Sequence, residues 1–367
     1  MSVAGNNAAA ATRRAVGAGV VALAGLAAWV PLPARWVERW YSNGIYPYLQ
    51  RALTSASNLV PVAMFDVCLV GALAWLVWAW RHPCGHRGRR GRAVVRSLWH
   101  TLVGAASVYL VFLRCWGLNY QREPLSARLE LAAAAPDVGA VLTLGRDTVR
   151  HANALHDQAH QAGWPDAAVS DARLRAAAAH VQALLGGQRA QAARLKPTVL
   201  RWLFRWEGVD AMTNPFGLDV LRNPDLLPLE RPFVAAHEWA HLAGFANEAE
   251  ANFIGWLTCL HGDARSQYSG WLFLYWQIRG ELPAGEREAL AAALAPGTKA
   301  DLEAMAARLR DGLVPALQQA GWAAYDQYLK ANRVESGVRS YGEVVTLVLR
   351  TRFDDRWRPT LRTGVRR

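Results

Sequence analysis

The residues of this 367-residue sequence whose spacing most clearly specifies a chemistry are His237-Glu238-Trp239-Ala240-His241. On an α-helix, positions i and i+4 project from one face, so two imidazoles so spaced can meet a single Zn²⁺. Glu238 is carried next to the same ion. Zinc brings the pKa of a bound water toward neutrality, and a neighbouring carboxylate can take the proton as that water attacks a polarised carbonyl. The expected chemistry is metal-assisted hydrolysis, with His237 and His241 as ligands and Glu238 as general base.

Such a pair needs a real helix beneath it. Arg231-Pro232 supplies a proline suited to a first helical turn, and the apolar run Phe233 to Ala236 follows, so the pattern predicts a helix over Arg231 to Leu242. Gly244 can end it in a left-handed conformation and reverse the chain, which brings a third ligand from the start of a second helix, Glu248 to Leu260. A catalytic zinc wants that third ligand and one open position. Glu248 and Glu250 compete for it. They lie about 200° apart around a helix, so both cannot easily face one ion. Glu248 is preferred, because Asn252 at i+4 shares its face and could brace it, and the other acid would then favour the helix N-terminus electrostatically.

The string HEWAHLAGFANEAEANF from His237 to Phe253, followed by Tyr268-Ser269-Gly270-Trp271 and later by Glu335-Ser336-Gly337-Val338-Arg339-Ser340-Tyr341-Gly342, resembles the bacterial membrane-protein family called domain of unknown function 3810, within the zincin-like metallopeptidases. The similarity covers most of the chain. It implies a peptidase-like fold and brings no established substrate. The same string resembles the site of zinc peptidases in which a glutamate stands four residues before an Asn or Asp on the following helix, which again favours Glu248. Such enzymes add a His, Tyr or Arg donor for the tetrahedral oxyanion, and Tyr341 is the first candidate here, Tyr268 the second. Zincins also commonly carry an edge strand ahead of the metal helix, and the segment Met212 to Val220 occupies that place, where backbone pairing would hold an extended peptide.

Other candidate groups carry less. His151, His156 and His160 lie along one predicted helix, the last two at i and i+4, but no nearby Cys or carboxylate has ligand spacing except Asp157, which points elsewhere. They are expected to be ordinary helix-surface residues. Cys68, Cys84, Cys115 and Cys259 are scattered without a CxxC pair, which argues against a disulfide framework or a thiolate zinc site.

The elements around the motif fall into two regions. Hydrophobic residues make up 52% of the sequence and charged ones 19%, and the apolar bias is concentrated in the first third. Three apolar runs there, at about 15–32, 59–80 and 97–117, are each close to the roughly 20 residues an α-helix needs to cross a bilayer. They predict three transmembrane helices in a membrane region spanning 1–121. Asp66 falls near one end of the second run, where a polar neighbour or interfacial water can reach it. Arg81, Arg87, Arg89, Arg90, Arg92 and Arg96 crowd the loop between the second and third runs, which makes that loop cytoplasmic by the positive-inside rule. The loop around Tyr41 to Arg51 and everything after about Asn119 then lie outside.

Residues 122–355 are predicted to form an extracytoplasmic, α-rich zincin-like catalytic domain with a small β element, and 356–367 a basic tail, giving a mainly α protein of the bacterial inner membrane. The segment Thr198 to Arg222, punctuated by Gly208, Pro215 and Gly217, predicts turns and one or two short strands. The net charge of +12 would suit nucleic acid, but its Arg surplus sits mostly at 81–96 and 356–367 with no nucleic-acid-binding module between, so nucleic acid is not an expected partner. The expected partners are the lipid bilayer and a peptide or protein substrate of the cell envelope. The reading is a membrane-anchored zinc metallopeptidase. A zinc amidase acting on envelope material, or a non-catalytic zinc-stabilised scaffold, are the alternatives, and oligomeric state is not specified.

Overall fold

The computed structural model describes residues 3–81, 90–164, 171–335, 337 and 342–362. Helix α1 (Val3–Trp29) leads into a continuous helical stretch made of α2 (Ala34–Trp36), a nine-residue π-helix (Val37–Ile45) and α3 (Tyr46–Asn58). Helices α4 (Met64–Trp80) and α5 (Arg90–Cys115) complete the apolar third. The remainder is helical apart from one small sheet: α6 (Val138–Gln161), α7 (Ala172–Leu184), β1 (Leu195–Lys196), α8 (Arg201–Glu207), β2 (Ala211–Thr213), β3 (Val220–Arg222), α9 (Arg231–Leu242), α10 (Glu248–Leu260), α11 (Ala264–Glu281), α12 (Ala284–Ala292), α13 (Pro296–Gly312), α14 (Pro315–Ala331) and α15 (Glu343–Arg350).

The mainly α prediction with a small β element holds. The three expected spans do not all hold. Two described helices, over Ala11–Trp29 and Gly91–Cys115, are long and apolar enough to cross a membrane, whereas the run read as 59–80 yields only the 17 residues Met64–Trp80. Pro61 is the physical reason. It sits in the bend that follows α3 and keeps residues 59–63 out of the helix, so the rise is about 25 Å rather than the roughly 30 Å of a hydrocarbon core. Asp66, in the first turn of α4, finds the polar neighbours expected of it: Thr198 donates through its hydroxyl at 2.7 Å and Val199 through its backbone N–H at 2.9 Å.

Residues 41–51, expected as an outside loop, are instead helical and packed. Val37, Tyr41 and Tyr46 join Phe112, Leu113 and Trp116 in the same buried core as Leu242, Phe245 and Phe253, so the core runs across the boundary placed at residue 121. The centre of that core is the antiparallel pair α9 and α10, against which α11, α7 and α15 pack. Gly255 is what lets the pair close: a Cβ there would stand 3.0 Å from the backbone nitrogen and Cα of His237.

The sheet has the order β1-β3-β2, with β3 parallel to β1 and antiparallel to β2. An edge strand does precede α9, but it is Ala211–Thr213, at the start of the expected segment. Val220 belongs to the central strand, and Leu218 lies in the connecting turn with a φ of 48°.

Candidate metal centre

Helix α9 forms where its sequence signals place it. Pro232 occupies the first turn, and the helix ends at Gly244, whose φ of 87° is the left-handed reversal a glycine accepts without strain. A Cβ at Gly244 would also meet Asn119 Oδ1 at 2.9 Å, so both the backbone and the space require glycine. The chain re-enters a helix at Asn247, whose side chain accepts from the N–H of Glu250. Glu248 is therefore the first residue of α10 and stands opposite the histidines.

The three side chains converge. His237 Nε2 lies 3.1 Å from His241 Nε2, and Glu248 Oε2 lies 3.4 Å from the first and 3.5 Å from the second. These lengths can be compared with what an ion needs: ligand atoms about 2.0–2.2 Å from a tetrahedral zinc stand about 3.4 Å from each other. The donor triangle therefore has the right size before any ion is placed in it. Glu248 Oε2 is buried with no hydrogen-bond partner, the condition of a carboxylate oxygen aimed at a cation. The residues fit zinc in donor type, number and spacing.

The surroundings fix the His241 ring, whereas His237 Nδ1 is buried without a hydrogen-bond partner. His241 Nδ1 meets the carbonyl of Phe245 at 2.8 Å, so in the neutral ring Nδ1 carries the proton and the Nε2 lone pair faces the triangle. Burial alone would lower the pKa of His241, but the Glu248 carboxylate beside it, with Glu238 and the Phe245 carbonyl, outweighs this and lifts it to about 9. Burial pushes Glu248 up, and the two histidines more than reverse it, holding it far below the usual carboxylate range. The Glu248 side chain is 3% exposed and that of His237 is 13%, which places the group just under the surface.

Glu238 does not join the triangle. Its Oε2 accepts from the hydroxyl of Thr213 at 2.6 Å, which ties the carboxylate to the edge strand β2. Glu250 is turned away as well: its Oε1 accepts from the N–H of Leu125 at 2.6 Å, and burial raises its pKa despite Arg122 and Arg128 nearby. Of the two competing acids, the structure brings Glu248 to the histidines and gives Glu250 to the turn at Leu125. Asn252 is buried, but its amide nitrogen meets no acceptor, so the bracing inferred from i+4 spacing is absent.

Of the two expected aromatic donors, only Tyr268 falls among the described residues. Tyr341 lies outside the described residues. Tyr268 is fully buried and donates to Asp301 at 2.5 Å, within a group that holds His156 and His160 rather than the triangle. Among the described residues, the hydroxyl of Tyr325 on α14 reaches the triangle and donates to Glu248 Oε1. Reading the sequence missed it. Tyr325 and Tyr328 at i and i+3 mark one face of a helix, yet nothing local says which element that face meets.

The C-terminal end of α9 is held from the apolar third of the chain. Trp116 donates its indole N–H to the carbonyl of His241 at 3.0 Å, and Tyr46 its hydroxyl to the carbonyl of Leu242 at 2.9 Å. Arg122 donates to Gly244 O at 2.9 Å and pairs with both oxygens of Glu38 at 2.9 Å, and Arg128 contacts the same carboxylate. Burial pulls the Arg122 guanidinium down to about 10 against the support of Glu250 and Tyr46.

Compared with known proteins, residues 41–349 match the family described as protein of unknown function, DUF3810. No curated protein and no solved structure matches the chain.

Proposed function

The chain belongs to the DUF3810 family, and from this premise we propose that it is a zinc-dependent hydrolase of peptide bonds working at a membrane surface. The observation that carries the reading is the donor triangle of His237, His241 and Glu248, with edges of 3.1–3.5 Å. His237 and His241 would hold zinc through Nε2 and Glu248 through Oε2. Zinc bound there supplies a Lewis acid and a water acidic enough to be deprotonated near neutral pH. Glu238 accepts that proton and passes it to the leaving amine, and Thr213 keeps its carboxylate oriented. Tyr325 donates its hydroxyl proton to Glu248 Oε1 and so steadies the third ligand. Strand β2 is an edge with one free side, along which an extended substrate backbone can pair.

A membrane location is supported by what surrounds the centre. Val67, Val70, Leu73 and Val77 of α4 are each more than half exposed, an apolar surface that suits lipid. Val199, Trp202 and Trp206 stand exposed in and beside α8, next to Asp66 at the start of α4, as an interfacial belt would. In the topology we propose, α4 crosses as a short span met by local thinning of the bilayer, the loop after it is cytoplasmic and the metal centre lies on the outer face of the bacterial inner membrane, so that the substrate is an envelope peptide close to the bilayer.

The purified, zinc-loaded full chain is expected to cleave members of a mixed peptide library, to stop on chelation and to resume when zinc is returned. Peptides left intact by protein shown to hold zinc would remove the reading. Protons should also compete with the metal. Because His241 must lose its proton to bind zinc, and its pKa in the metal-free protein is about 9, zinc affinity should fall about tenfold for each pH unit below 9. Glu248, held ionised, adds nothing to that slope. Titration with a chromophoric zinc indicator from pH 6 to 9 would check this, and a flat profile would contradict it.

A further inference from the structure

A second group of donors lies on α6, α11 and α13. His156 and His160 project from one face of α6, and α13 brings Asp301 to them across 141 residues of sequence. We propose that His156, His160 and Asp301 form a second metal site, separate from the His237 centre, for a divalent transition ion of the zinc type.

Four observations carry the assignment. One ligand atom from each residue lies within 4.8 Å of the other two, the second such His/His/carboxylate set among the described residues. His156 has its ring direction set from outside: Nδ1 meets Asp157 Oδ1 at 2.7 Å, which leaves Nε2 facing Asp301. This carboxylate–histidine pairing is the arrangement that orients imidazole ligands toward a metal. The carboxylate is fixed as well, since the buried Tyr268 donates to Asp301 Oδ2 at 2.5 Å. His160 Nε2 hydrogen-bonds that oxygen at 2.8 Å, whereas His156 Nε2 stops 3.7 Å from it, too far for a hydrogen bond and close to the separation that two ligands of one ion adopt. The fourth observation is the room made for the ring. A Cβ at Gly297, in the first turn of α13, would fall 2.4 Å from His156 Nε2, so only glycine lets α13 close over it.

The donor set decides the ion. Two imidazoles and one carboxylate suit zinc, nickel or copper and are poor for calcium or magnesium, which prefer oxygen cages. His160 remains 39% exposed along its side chain, so water can fill the remaining position and the ion can exchange with solvent. Bound there, it would fasten α6 to α13. His151 takes no part, because its ring is stacked on Trp271 at 4.6 Å.

The experiment is a zinc count on the detergent-solubilised full chain after saturation and gel filtration, by elemental analysis. Two ions per chain are expected in the wild type. One should remain in Asp301→Asn, which keeps groups able to bond Tyr268 and His160, and one in the double variant His156→Asn with His160→Asn. His237→Ala with His241→Ala should also keep one, and added zinc should still raise its melting temperature, an increase lost when Asp301→Asn is combined with it. A wild-type count unchanged by the Asp301 and His156/His160 variants overturns the second site. Failure of the His237 centre would show separately, as a count unaffected by the His237/His241 pair.

Discussion

Replacing Glu238 with Gln is expected to leave zinc bound and to reduce peptide turnover by about 10²–10⁴-fold, the usual worth of a positioned general base. The separation of the two effects follows from the geometry. Glu238 supplies no atom to the triangle, and a Gln of the same shape can still accept from Thr213 through its amide oxygen. What disappears is the proton acceptor. Glu248→Gln should do the reverse, lowering zinc occupancy first and activity as a result, because the fully buried Oε2 would lose the charge that balances the cation. Elemental analysis beside turnover of the same preparations distinguishes them. Normal activity in the Glu238 variant would remove its role.

The second large effect is on stability. Arg122→Met should destabilise the fold by about 3–5 kcal/mol, as removing one partner of a buried ion pair does. Glu38 would keep Arg128 but lose a bidentate partner, and the carbonyl of Gly244 would lose a charged donor. That carbonyl belongs to the reversal that aims Glu248 at the histidines, so zinc affinity should weaken along with stability. Arg122→Lys should recover only part of the loss, since an ammonium cannot engage both oxygens in the same plane. Thermal unfolding in detergent, with and without zinc, is the measurement. A variant melting within a degree of wild type would show that the pair contributes little.

How far the sequence could be read varied with the distance of the interactions that decide each element. The helices Arg231–Leu242 and Glu248–Leu260 lie where Pro232 and Gly244 predict them, because caps and breakers act within a turn or two. Helix Val138–Gln161, which carries His151, His156 and His160, likewise follows from its own periodicity. The choice of Glu248 over Glu250 was open to helical geometry for the same reason.

The stretch from Ala34 to Asn58 was not legible. Its Glu38, Tyr41, Ser42 and Gln50 are polar yet buried, and only remote partners explain them: Arg122 for Glu38, Asn119 for Ser42 and the Arg114 carbonyl for Tyr41. A pattern built on apolar spacing reads such residues as solvent-facing. Tyr325 reaches Glu248 from 77 residues away and Asp301 reaches His160 from 141, and neither contact leaves a local trace. The shortened second apolar helix was a different failure. Pro61 was in plain view, but hydropathy averaged over a window passes across a single breaker.

The indole of Trp116 and the phenol of Tyr46 occupy the last carbonyls of the helix that carries both histidines. Cutting the chain near residue 121 would leave those acceptors bare and tear Phe112, Leu113 and Trp116 from the core they share with Phe245. A fragment beginning at residue 122 should therefore hold zinc poorly, because the end of the helix that aims both histidines is built by the part removed.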